Sequence, residues 1–352
     1  MIIQKTVKAS IFGLTKTKEA MLREEYNNFQ AYLRGINAPL YSATKQQAER
    51  LLRKIGKPKQ KEYPLILRRD VFNIRETKNK LAKFWVKIPI HHVRGGVKVP
   101  IQIPYNQEKF LSLDMGEGKL LWKKDHWGIH ITVMKEAEVK PQPPSTILAV
   151  DLGERYIATS VEYADGVMKN PKFYGRNVRG IRRHYAWLRK RLRERGCLKT
   201  IKKIGRKESR RVSTVLHKIS KDIVHHAKDS NAVIILGDLK DIRKRAKGKR
   251  MNRIVSNMPY YHLTQMVSYK ARWEGIPVHI IKETNTSRLC HKCENKGIRP
   301  TQGFFICSTC GLEYNADLNG AINIAKRFSE QVLGNGAAFD TALNSGVVSH
   351  AR

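Results

Sequence analysis

The sequence predicts an α/β protein in two parts. The N-terminal part is rich in β-strands and holds a helical insertion, and strands and helices alternate in the C-terminal part. Three observations predict this organisation. Alternating runs such as FWVKIPI and GVKVPIQIPY follow residue 82, a PQPP stretch begins at residue 141, and apolar strand patterns alternate with helical patterns from residue 146 onward. A chain of 352 residues is long enough for two or three domains with hydrophobic cores.

The N-terminal part is predicted as a small β-barrel or sandwich built from residues 1–14 and 82–140. Apolar and polar residues alternate in the first of these segments, and the same pattern resumes in the second. Residues 15–81 change to a charged helical pattern, which predicts a helical insertion after the first strand. Residues 141–145 are predicted as a stiff linker, because proline fixes the backbone φ angle.

The charge of the chain predicts a polyanionic partner. The chain has 68 Lys and Arg against 30 Asp and Glu, a net charge of +38, and nucleic acid is the partner that such an excess favours. Residues 179–211 hold 15 Lys or Arg and only two acidic residues, and residues 240–253 form a second basic run. Both runs are predicted to follow phosphates. The candidate contacts are Arg182, Arg183, Arg189, Arg193, Lys202, Lys203, Arg243, Arg245, Lys249 and Arg250.

No stretch of the sequence predicts a membrane segment. The longest apolar runs are of strand length, and the N-terminal residues lack the basic-then-apolar order of a signal peptide. The sequence therefore predicts a soluble cytoplasmic protein with no membrane partner, and its oligomeric state stays open. Residues 328–352 are small, polar and glycine-containing, so they are predicted as a flexible tail.

Four of the five cysteines form two C-x2-C pairs, Cys290 with Cys293 and Cys307 with Cys310. Two such pairs can close a tetrahedral Zn2+ site. Four thiolate ligands leave no open coordination position for a substrate, so the predicted zinc is structural. The resulting zinc ribbon is predicted to span residues 287–313 within an α/β domain of residues 146–327. Gly303 and Gly311 are predicted to supply its sharp turns.

Two carboxylates that are distant in the sequence are candidates for a second metal site. Asp151 ends the buried strand TILAVD, and a glycine turn and another strand come after it. The first metal ligand of an RNase H-like sheet occupies the same kind of position. Asp317 lies in the first turn of a helix predicted by the spacing of Ala321, Ile324 and Ala325. An Asp is also common as a turn residue or a helix cap, so neither residue alone indicates catalysis.

Six stretches of the C-terminal part occur together in a specific order, namely AVDLGERYIAT, HKISKDIVHHAK, IILGDLKDIRKRAKGKRMNRIVSNMPYYHLTQMVSYKARWEGIPV, TSRLCHKC, CSTCG and DLNGAINIAK. With these stretches the chain resembles the TnpB (OrfB) proteins of prokaryotic insertion sequences, which are relatives of type V CRISPR effectors. The resemblance implies an RNase H-like (RuvC) nuclease domain preceded by a β-barrel-like wedge domain with a helical recognition insertion. It also implies an RNA-guided DNA endonuclease of the nucleoid. An RNA from the end of the element would direct it to double-stranded DNA beside a short adjacent motif, where it would cut with Mg2+.

The same resemblance places Asp151 at the family's first catalytic aspartate and Asp317 at its last. One position departs from the pattern, since the family has Glu followed by Asp at the end of the middle strand and this chain has Gly237 followed by Asp238. Two-metal cleavage of a phosphodiester needs several carboxylates around cations about 4 Å apart. The loss of one carboxylate is expected to weaken metal binding.

Three interpretations of Gly237 are open. In the first, the chain is a nuclease-inactive, RNA-guided DNA-binding protein that acts by target occupancy. In the second, Asp238 is the metal ligand, although strand alternation turns its side chain to the face opposite that of residue 237. In the third interpretation Glu283 replaces the missing carboxylate. Glu283 ends the strand after the long helix, which is expected to lie parallel to the middle strand and to end at the same sheet edge. The favoured hypothesis is that Asp151, Glu283 and Asp317 hold two Mg2+ ions for hydrolysis.

Overall fold

The structure is a computed structural model that describes residues 2–58, 62–123, 125–137, 146–239, 248, 258–283 and 286–334. The chain divides into two compact units, Met1–Glu136 (unit 1) and Ala137–Arg352 (unit 2). The predicted linker at 141–145 lies outside the described residues. Among the helices that the structure describes, none is both long enough and apolar enough to span a lipid bilayer.

The described residues of unit 1 form seven strands and three helices. The strands are β1 (Ile2–Ile11), β2 (Leu65–Leu67), β3 (Asn73–Glu76), β4 (Phe84–Ile90), β5 (Val93–Gln102), β6 (Asp114–Lys123) and β7 (His126–Glu136). The helices are α1 (Lys16–Leu33), α2 (Ser42–Ile55) and α3 (Tyr105–Glu108). The strands form one antiparallel sheet in the order β2-β6-β7-β1-β5-β4-β3. Every second residue of β7 is buried, as expected for a strand with one face in the core.

The predicted helical insertion at residues 15–81 is wrong in its second half. Helices occupy Lys16–Leu33 and Ser42–Ile55, but Leu65–Leu67 and Asn73–Glu76 form β2 and β3 at the two edges of the sheet. Three or four residues are too few to show a strand period in the sequence. Pairing with β6 and β4 decides their conformation instead.

Unit 2 is built on a second sheet. Its strands are β8 (Ile147–Asp151), β9 (Ala158–Ala164), β10 (Val167–Tyr174), β11 (Val233–Asp238) and β12 (Val278–Lys282), in the order β10-β9-β8-β11-β12. The pairs β10–β9 and β9–β8 are antiparallel, whereas β11 lies parallel to both β8 and β12. The carboxyl ends of β8, β11 and β12 therefore lie at one edge of the sheet.

Helices cover both faces of this sheet. They are α4 (Arg176–Glu194), α5 (Leu198–Asp229), α6 (Tyr260–Trp273) and α7 (Ala316–Gly334). One core contains Leu148, Val150, Ile234 and Leu236 together with apolar residues of α5 and α6. The other contains Ile147, Ala149, Val233 and Ile235 together with apolar residues of α7. Alternate residues of each central strand thus face α5 and α6 on one side and α7 on the other.

The helix α7 corrects the predicted boundary of the tail. The sequence predicts a flexible segment from residue 328, but α7 continues to Gly334. Phe328 is buried in the α7 core, which extends the helix beyond the predicted boundary. Residues 335–352 lie outside the described residues.

A three-stranded sheet between β12 and α7 carries the cysteines. Its strands are β13 (Ile298–Thr301), β14 (Phe304–Ile306) and β15 (Glu313–Asn315), paired antiparallel in that order. Its small core consists of Cys290, Phe305, Cys307 and Ala316, with the other two cysteines packed beside it. Such a core is too small for independent stability without a further crosslink or metal.

Candidate active site and metal centre

Three positions at the carboxyl edge of the unit 2 sheet face α7. They are Asp151 of β8, Gly237 of β11 and Glu283 after β12. Each lies two residues beyond an apolar residue of the same strand, namely Ala149, Ile235 and Ile281. Ala149, Ile235 and Ile281 all belong to the α7 core. Strand alternation therefore brings positions 151, 237 and 283 to the same face of the sheet. Asp238 lies two residues beyond Leu236, which packs in the core with α5 and α6. By the same alternation Asp238 is therefore on the opposite face of the sheet.

The Glu283 side chain lies in the space beside Gly237. A Cβ atom added at Gly237 would be 1.4 Å from Oε1 of Glu283 and 2.1 Å from its Cδ. β11 and β12 are parallel neighbours in which Gly237 is in register with Ile281. The missing side chain at position 237 is therefore what gives the Glu283 carboxylate room at this edge.

Asp151 and Asp317 meet where α7 approaches β8. A Cβ atom added at Gly320 in α7 would be 3.0 Å from Oδ2 of Asp151, and one added at Gly153 would be 3.5 Å from Oδ1 of Asp317. Asp317 is in the first turn of α7, as predicted, and Asn315 Oδ1 caps the helix by accepting hydrogen bonds from the N–H groups of Asp317 and Leu318. Two glycines thus permit the close approach that brings the aspartates to one edge.

The buried carboxyl groups favour their protonated forms. Burial and the charge of Asp317 raise the pKa of Asp151 to about 7. Burial and the charges of Asp151 and Asp238 raise the pKa of Glu283 to about 9. Burial also raises the pKa of Asp317, although Arg299 and Arg155 oppose this change. These shifts arise because carboxylates that repel one another have been removed from water.

Two carboxylate oxygens of this cluster have unused acceptor capacity. Oε1 of Glu283 and Oδ2 of Asp317 are buried and accept no hydrogen bond from the residues that the structure describes. Oxygen donors of this kind suit a hard cation such as Mg2+, and its charge would offset their mutual repulsion. The chemistry of these donors suits a divalent cation, whereas among the described residues only the four cysteines have all their ligand atoms within 4.8 Å of one another.

Two further side chains that were not selected from the sequence border the carboxylates. Arg299 of β13 donates to Oδ1 of Asp317 at 3.4 Å and to the carbonyl oxygen of Gln302 at 2.7 Å. Tyr260 begins α6, and burial together with the charges of Asp151, Glu154, Glu283 and Asp317 raises its pKa. Arg299 belongs to none of the stretches that carry the resemblance, whereas Tyr260 lies within one of them and was not selected, because only the packing of α6 brings it to the carboxylates.

The four predicted zinc ligands lie together. The Sγ atoms of Cys290, Cys293, Cys307 and Cys310 are all within 4.8 Å of one another. The Cys290–Cys310 and Cys293–Cys307 sulfur pairs are 3.6 and 3.5 Å apart. A tetrahedral site with Zn–S bonds of about 2.3 Å requires sulfur separations of about 3.8 Å. The geometry therefore fits a four-cysteine metal site such as zinc, the first of the two predicted metal centres.

Both cysteine pairs lie in turns of the same form. The backbone N–H groups of Glu294 and Gly311 donate to the carbonyl oxygens of Cys290 and Cys307, each at 2.9 Å, and both residues have positive φ angles of 62° and 68°. Gly311 supplies this conformation as predicted. Gly303 does not, because it lies in the β13–β14 hairpin, and Glu294 occupies the left-handed position of the first turn. A backbone N–H of Cys310 helps to lower the pKa of the Cys307 thiol to about 6, which favours the thiolate.

The structure separates the predicted nucleic-acid contacts into two groups. Arg183, Arg193, Lys202 and Lys203 are exposed on α4 and α5. Arg189 instead forms an ion pair with the buried Glu208, and the partly buried Arg182 has its pKa lowered by burial beside them. The exposed group therefore remains the stronger prediction. Arg243, Arg245, Lys249 and Arg250 lie outside the described residues.

Together the fold and both clusters define a class, an α/β protein with carboxylates at its strand ends and a four-cysteine ribbon inserted before its last helix. A family model described as the Cas12f1-like TNB domain matches residues 260–324. The chain is 27% identical to a TnpB-like protein of Methanocaldococcus jannaschii, over 60% of this chain and 77% of that protein. It is 30% identical to the CRISPR-associated endodeoxyribonuclease Cas12f1 of Sulfoacidibacillus thermotolerans, over 58% of this chain and 50% of that protein. The chain is therefore similar to TnpB-like proteins and to Cas12f endonucleases.

Solved structures share the fold at low sequence identity. The Alicyclobacillus acidoterrestris C2c1 structure with single-guide RNA has a TM-score of 0.52 at 10% identity, covering 81% of this chain and 58% of that one. The mini-RNA-guided endonuclease CRISPR-Cas phi3 has a TM-score of 0.50 at 11% identity, covering 92% of each chain. The chain is also 25% identical to the putative RNA-guided DNA endonuclease InsQ of Escherichia coli, over 53% of that protein. It thus spans about half the length of the Cas12f1 and InsQ relatives.

Proposed function

We propose that the chain is an RNA-guided DNA endonuclease of an insertion sequence, with a Mg2+-dependent RNase H-like (RuvC-type) site that hydrolyses phosphodiesters. The position of the Glu283 carboxylate carries the proposal. It lies in the space that a side chain at Gly237 would take, on the same sheet face as Asp151 and beside the helix that bears Asp317. The missing glutamate is thereby replaced rather than lost, which favours an active site over an inactive one.

The topology of unit 2 supports the RNase H-like assignment. In the sheet, the antiparallel strands β10, β9 and β8 are followed by two strands parallel to β8. Asp151 is the last residue of β8, and Glu283 comes directly after β12. In this proposal unit 1 provides the wedge and recognition regions, and the helical insertion comprises α1 and α2. The domain boundaries at 14/15 and 140/141 remain part of this proposal, whereas the helical insertion ends before β2 and α7 continues past residue 327.

The chain's own residues would prepare the site for hydrolysis. Asp151, Glu283 and Asp317 would hold the cations after releasing the protons that their raised pKa values retain. Bound Mg2+ would supply an activated water and stabilise the charge on the attacking and leaving oxygens. Arg299 contacts Oδ1 of Asp317, so it would orient that carboxylate and leave Oδ2 available. The zinc ribbon would keep Arg299 in place.

The partners in this proposal are a guide RNA from the element's end and double-stranded DNA with an adjacent motif. The relatives include proteins named as RNA-guided and as CRISPR-associated DNA endonucleases. The net charge of +38 and the exposed cations of α4 and α5 support backbone contacts with nucleic acid. Base pairing with the guide would then select the sequence, while the protein holds the heteroduplex by its backbone.

A cleavage assay tests the function. Full-length protein copurified with its RNA is incubated with Mg2+ and a duplex that carries the guide-matched target beside a randomised flanking motif. We expect the wild type to cut, Asp151→Ala and Glu283→Ala to be inactive, and Asp238→Ala to retain activity. Cutting by Glu283→Ala would refute the assignment of this residue.

The inactive DNA-binding alternative predicts a different result in the same assay. Wild type would bind the guide-matched duplex in a gel-shift experiment and would leave it intact at every Mg2+ concentration. A chain that neither retains RNA nor binds the matched duplex preferentially would refute guided recognition itself.

A further inference from the structure

A pocket lies where α4, α5 and α6 meet, on the side of the unit 2 sheet opposite α7. Its volume is about 550 Å³, and small-molecule sites have volumes of about 300–1,000 Å³. Val212, Leu216 and Met266 form an apolar wall, and Ser209 and Ser213 add hydroxyl groups one turn apart on α5. None of the three candidate metal ligands lines the pocket, so it is separate from the carboxylate cluster.

Arg182 is a cation of this pocket that has no anionic partner of its own. Its Nε atom is buried without a hydrogen-bond partner, and no carboxylate of the described residues lies within 4.0 Å of its side chain. Glu208 also lines the pocket, but it pairs with Arg189. A guanidinium that has been removed from water is destabilised unless an anion neutralises it. Its planar donor groups match the oxygens of a phosphate or a carboxylate, so an anion in the pocket would supply the missing partner.

Gly205 lines the same pocket from inside α5. A Cβ atom added there would meet no neighbouring atom of the described residues within 4 Å. Close packing therefore does not require a glycine at this position, although glycine is less favourable than alanine inside a helix. The absent side chain leaves the pocket open, which benefits a ligand and not the helix.

We propose that this pocket binds a small organic anion with a flat ring, of the size of a nucleoside monophosphate. Arg182 would bind the anionic group, and the ring would pack against the apolar wall. An inorganic anion alone would leave most of the pocket unfilled, whereas a neutral ring would leave Arg182 unpaired. The inference goes beyond the proposed nuclease and does not depend on it, because no candidate metal ligand takes part.

The position of the pocket indicates what a bound ligand would do. Pro259 lines the pocket and directly precedes Tyr260, which borders the carboxylate cluster. A ligand bound to Arg182 of α4 and to the α5 wall would hold both helices against the start of α6. Ligand binding should therefore raise the melting temperature of the protein, because the ligand stabilises the folded state only.

A titration with a defined probe tests the pocket. Full-length protein with its copurified RNA is titrated with adenosine monophosphate (AMP) by calorimetry in about 0.15 M salt, which screens the attraction of distant charges. We expect saturable binding at one site per chain, and inorganic phosphate and adenosine should each bind at least about tenfold more weakly, because each lacks one half of the ligand. Arg182→Ala should weaken AMP binding at least about tenfold, since it removes a charged hydrogen-bond donor. Lys190→Ala, which removes one charge from an exposed position of the same helix, is the matched control and should change the affinity less than about twofold.

Gly205→Leu tests the same pocket without a change of charge. The leucine side chain would fill the space, so AMP binding should weaken at least about tenfold. The melting temperature should stay equal or rise, because leucine is the better helix former. Melting temperatures measured for every variant separate a lost site from a lost fold.

Absence of saturable AMP binding by the wild type would overturn the proposal, and so would unchanged affinity in Gly205→Leu. An equal loss in Arg182→Ala and Lys190→Ala would also overturn it, because that result assigns the binding to net charge. AMP binding that occurs only after the RNA has been removed would assign the pocket to the RNA instead. Since binding is read without cleavage, failure of the pocket leaves the proposed nuclease untouched.

Discussion

Gly237 and Glu283 are coupled sterically, because a Cβ at position 237 would overlap the Glu283 carboxylate. Gly237 lies in a strand, where alanine is readily accommodated by the backbone. We therefore expect Gly237→Ala to fold, to displace the carboxylate and to lower Mg2+-dependent cleavage by at least about 100-fold. Gly237→Glu combined with Glu283→Ala should restore much of the rate, since it returns a carboxylate to the same space from the neighbouring strand.

Cleavage rates are compared at saturating Mg2+ for the wild type, for Gly237→Ala, for Glu283→Ala and for the double variant Gly237→Glu with Glu283→Ala. Melting temperatures measured in parallel separate lost ligands from lost folding. Wild-type activity in Gly237→Ala would show that the Glu283 side chain has no role in the reaction.

The raised carboxyl pKa values make the metal-free protein sensitive to pH. Folding raises the pKa of Asp151 to about 7 and that of Glu283 to about 9, so the folded state binds these protons more tightly than the unfolded chain. Their contribution to stability is complete below about pH 4 and is lost as the pH rises toward 9. In EDTA at pH 8, Asp151→Asn should therefore be more stable than the wild type by about 1 kcal/mol or more, which raises Tm by about 2–4 °C.

Adding Mg2+ should invert that order. Cations bind the deprotonated carboxylates of the wild type and raise its Tm at pH 8, whereas the Asn variant lacks a ligand and gains less. Thermal melting with EDTA and with Mg2+ between about pH 5 and 9 measures both effects. A variant that melts below the wild type in EDTA at pH 8 would contradict the repulsion on which the site assignment rests.

At the level of elements, two asparagines of α7 attach residues 286–291, which lead into the ribbon, to this helix. Asn319 is fully buried, accepts a hydrogen bond of 3.0 Å from the N–H of His291 and donates one of 2.7 Å to the carbonyl oxygen of Leu289. Asn323 donates to the carbonyl oxygens of Thr286 and Leu289, each at 2.7 Å. The sequence NADLNGAINIAK thus combines an acidic residue for the site with polar residues that fix the ribbon.

We expect Asn319→Ala to cost about 1–3 kcal/mol, because it leaves buried groups of His291 and Leu289 without partners. The ribbon should loosen first, so zinc transfer to a chelator should become faster and hydrogen exchange in residues 287–313 should increase. Gln331→Ala, on an exposed position of the same helix, is the control and should change neither. Unchanged zinc release in Asn319→Ala would show that the ribbon is stable without this attachment.

The sequence predicts most of these elements, and the exceptions share a physical cause. Periodicity and caps place β8, β11, β12 and the start of α7 within a few residues, because each is long or strongly apolar. The strands β2 and β3 are missed, since pairing with distant strands determines their conformation. In the candidate site, Asp151, Asp317 and the cysteines were selected by spacing and resemblance. Glu283 follows from parallel strand order, and Arg299 has no local signal because the folded ribbon brings it there.

Over the whole chain, the excess of positive charge predicts that nucleic-acid binding depends strongly on salt. Not every cation contributes equally, because some are used within the fold. Lys202 and Lys203 are exposed on α5, whereas Arg189 is paired with the buried Glu208. Lys202→Ala with Lys203→Ala should therefore reduce the slope of log K against log salt by about 0.9 for each duplex phosphate that is no longer neutralised, with no change in Tm.

Arg189→Ala should have the opposite pattern. It leaves the Glu208 carboxylate buried without its partner, so Tm should fall while the salt slope of the folded protein changes little. Binding of a labelled duplex between about 0.05 and 0.3 M salt and thermal melting separate the two effects. A large slope change in Arg189→Ala with unchanged Tm would show that this arginine leaves Glu208 to contact phosphate. In that case Arg189 would belong with the exposed cations of α4 and α5 that contact phosphate, and not with the residues that stabilise the fold.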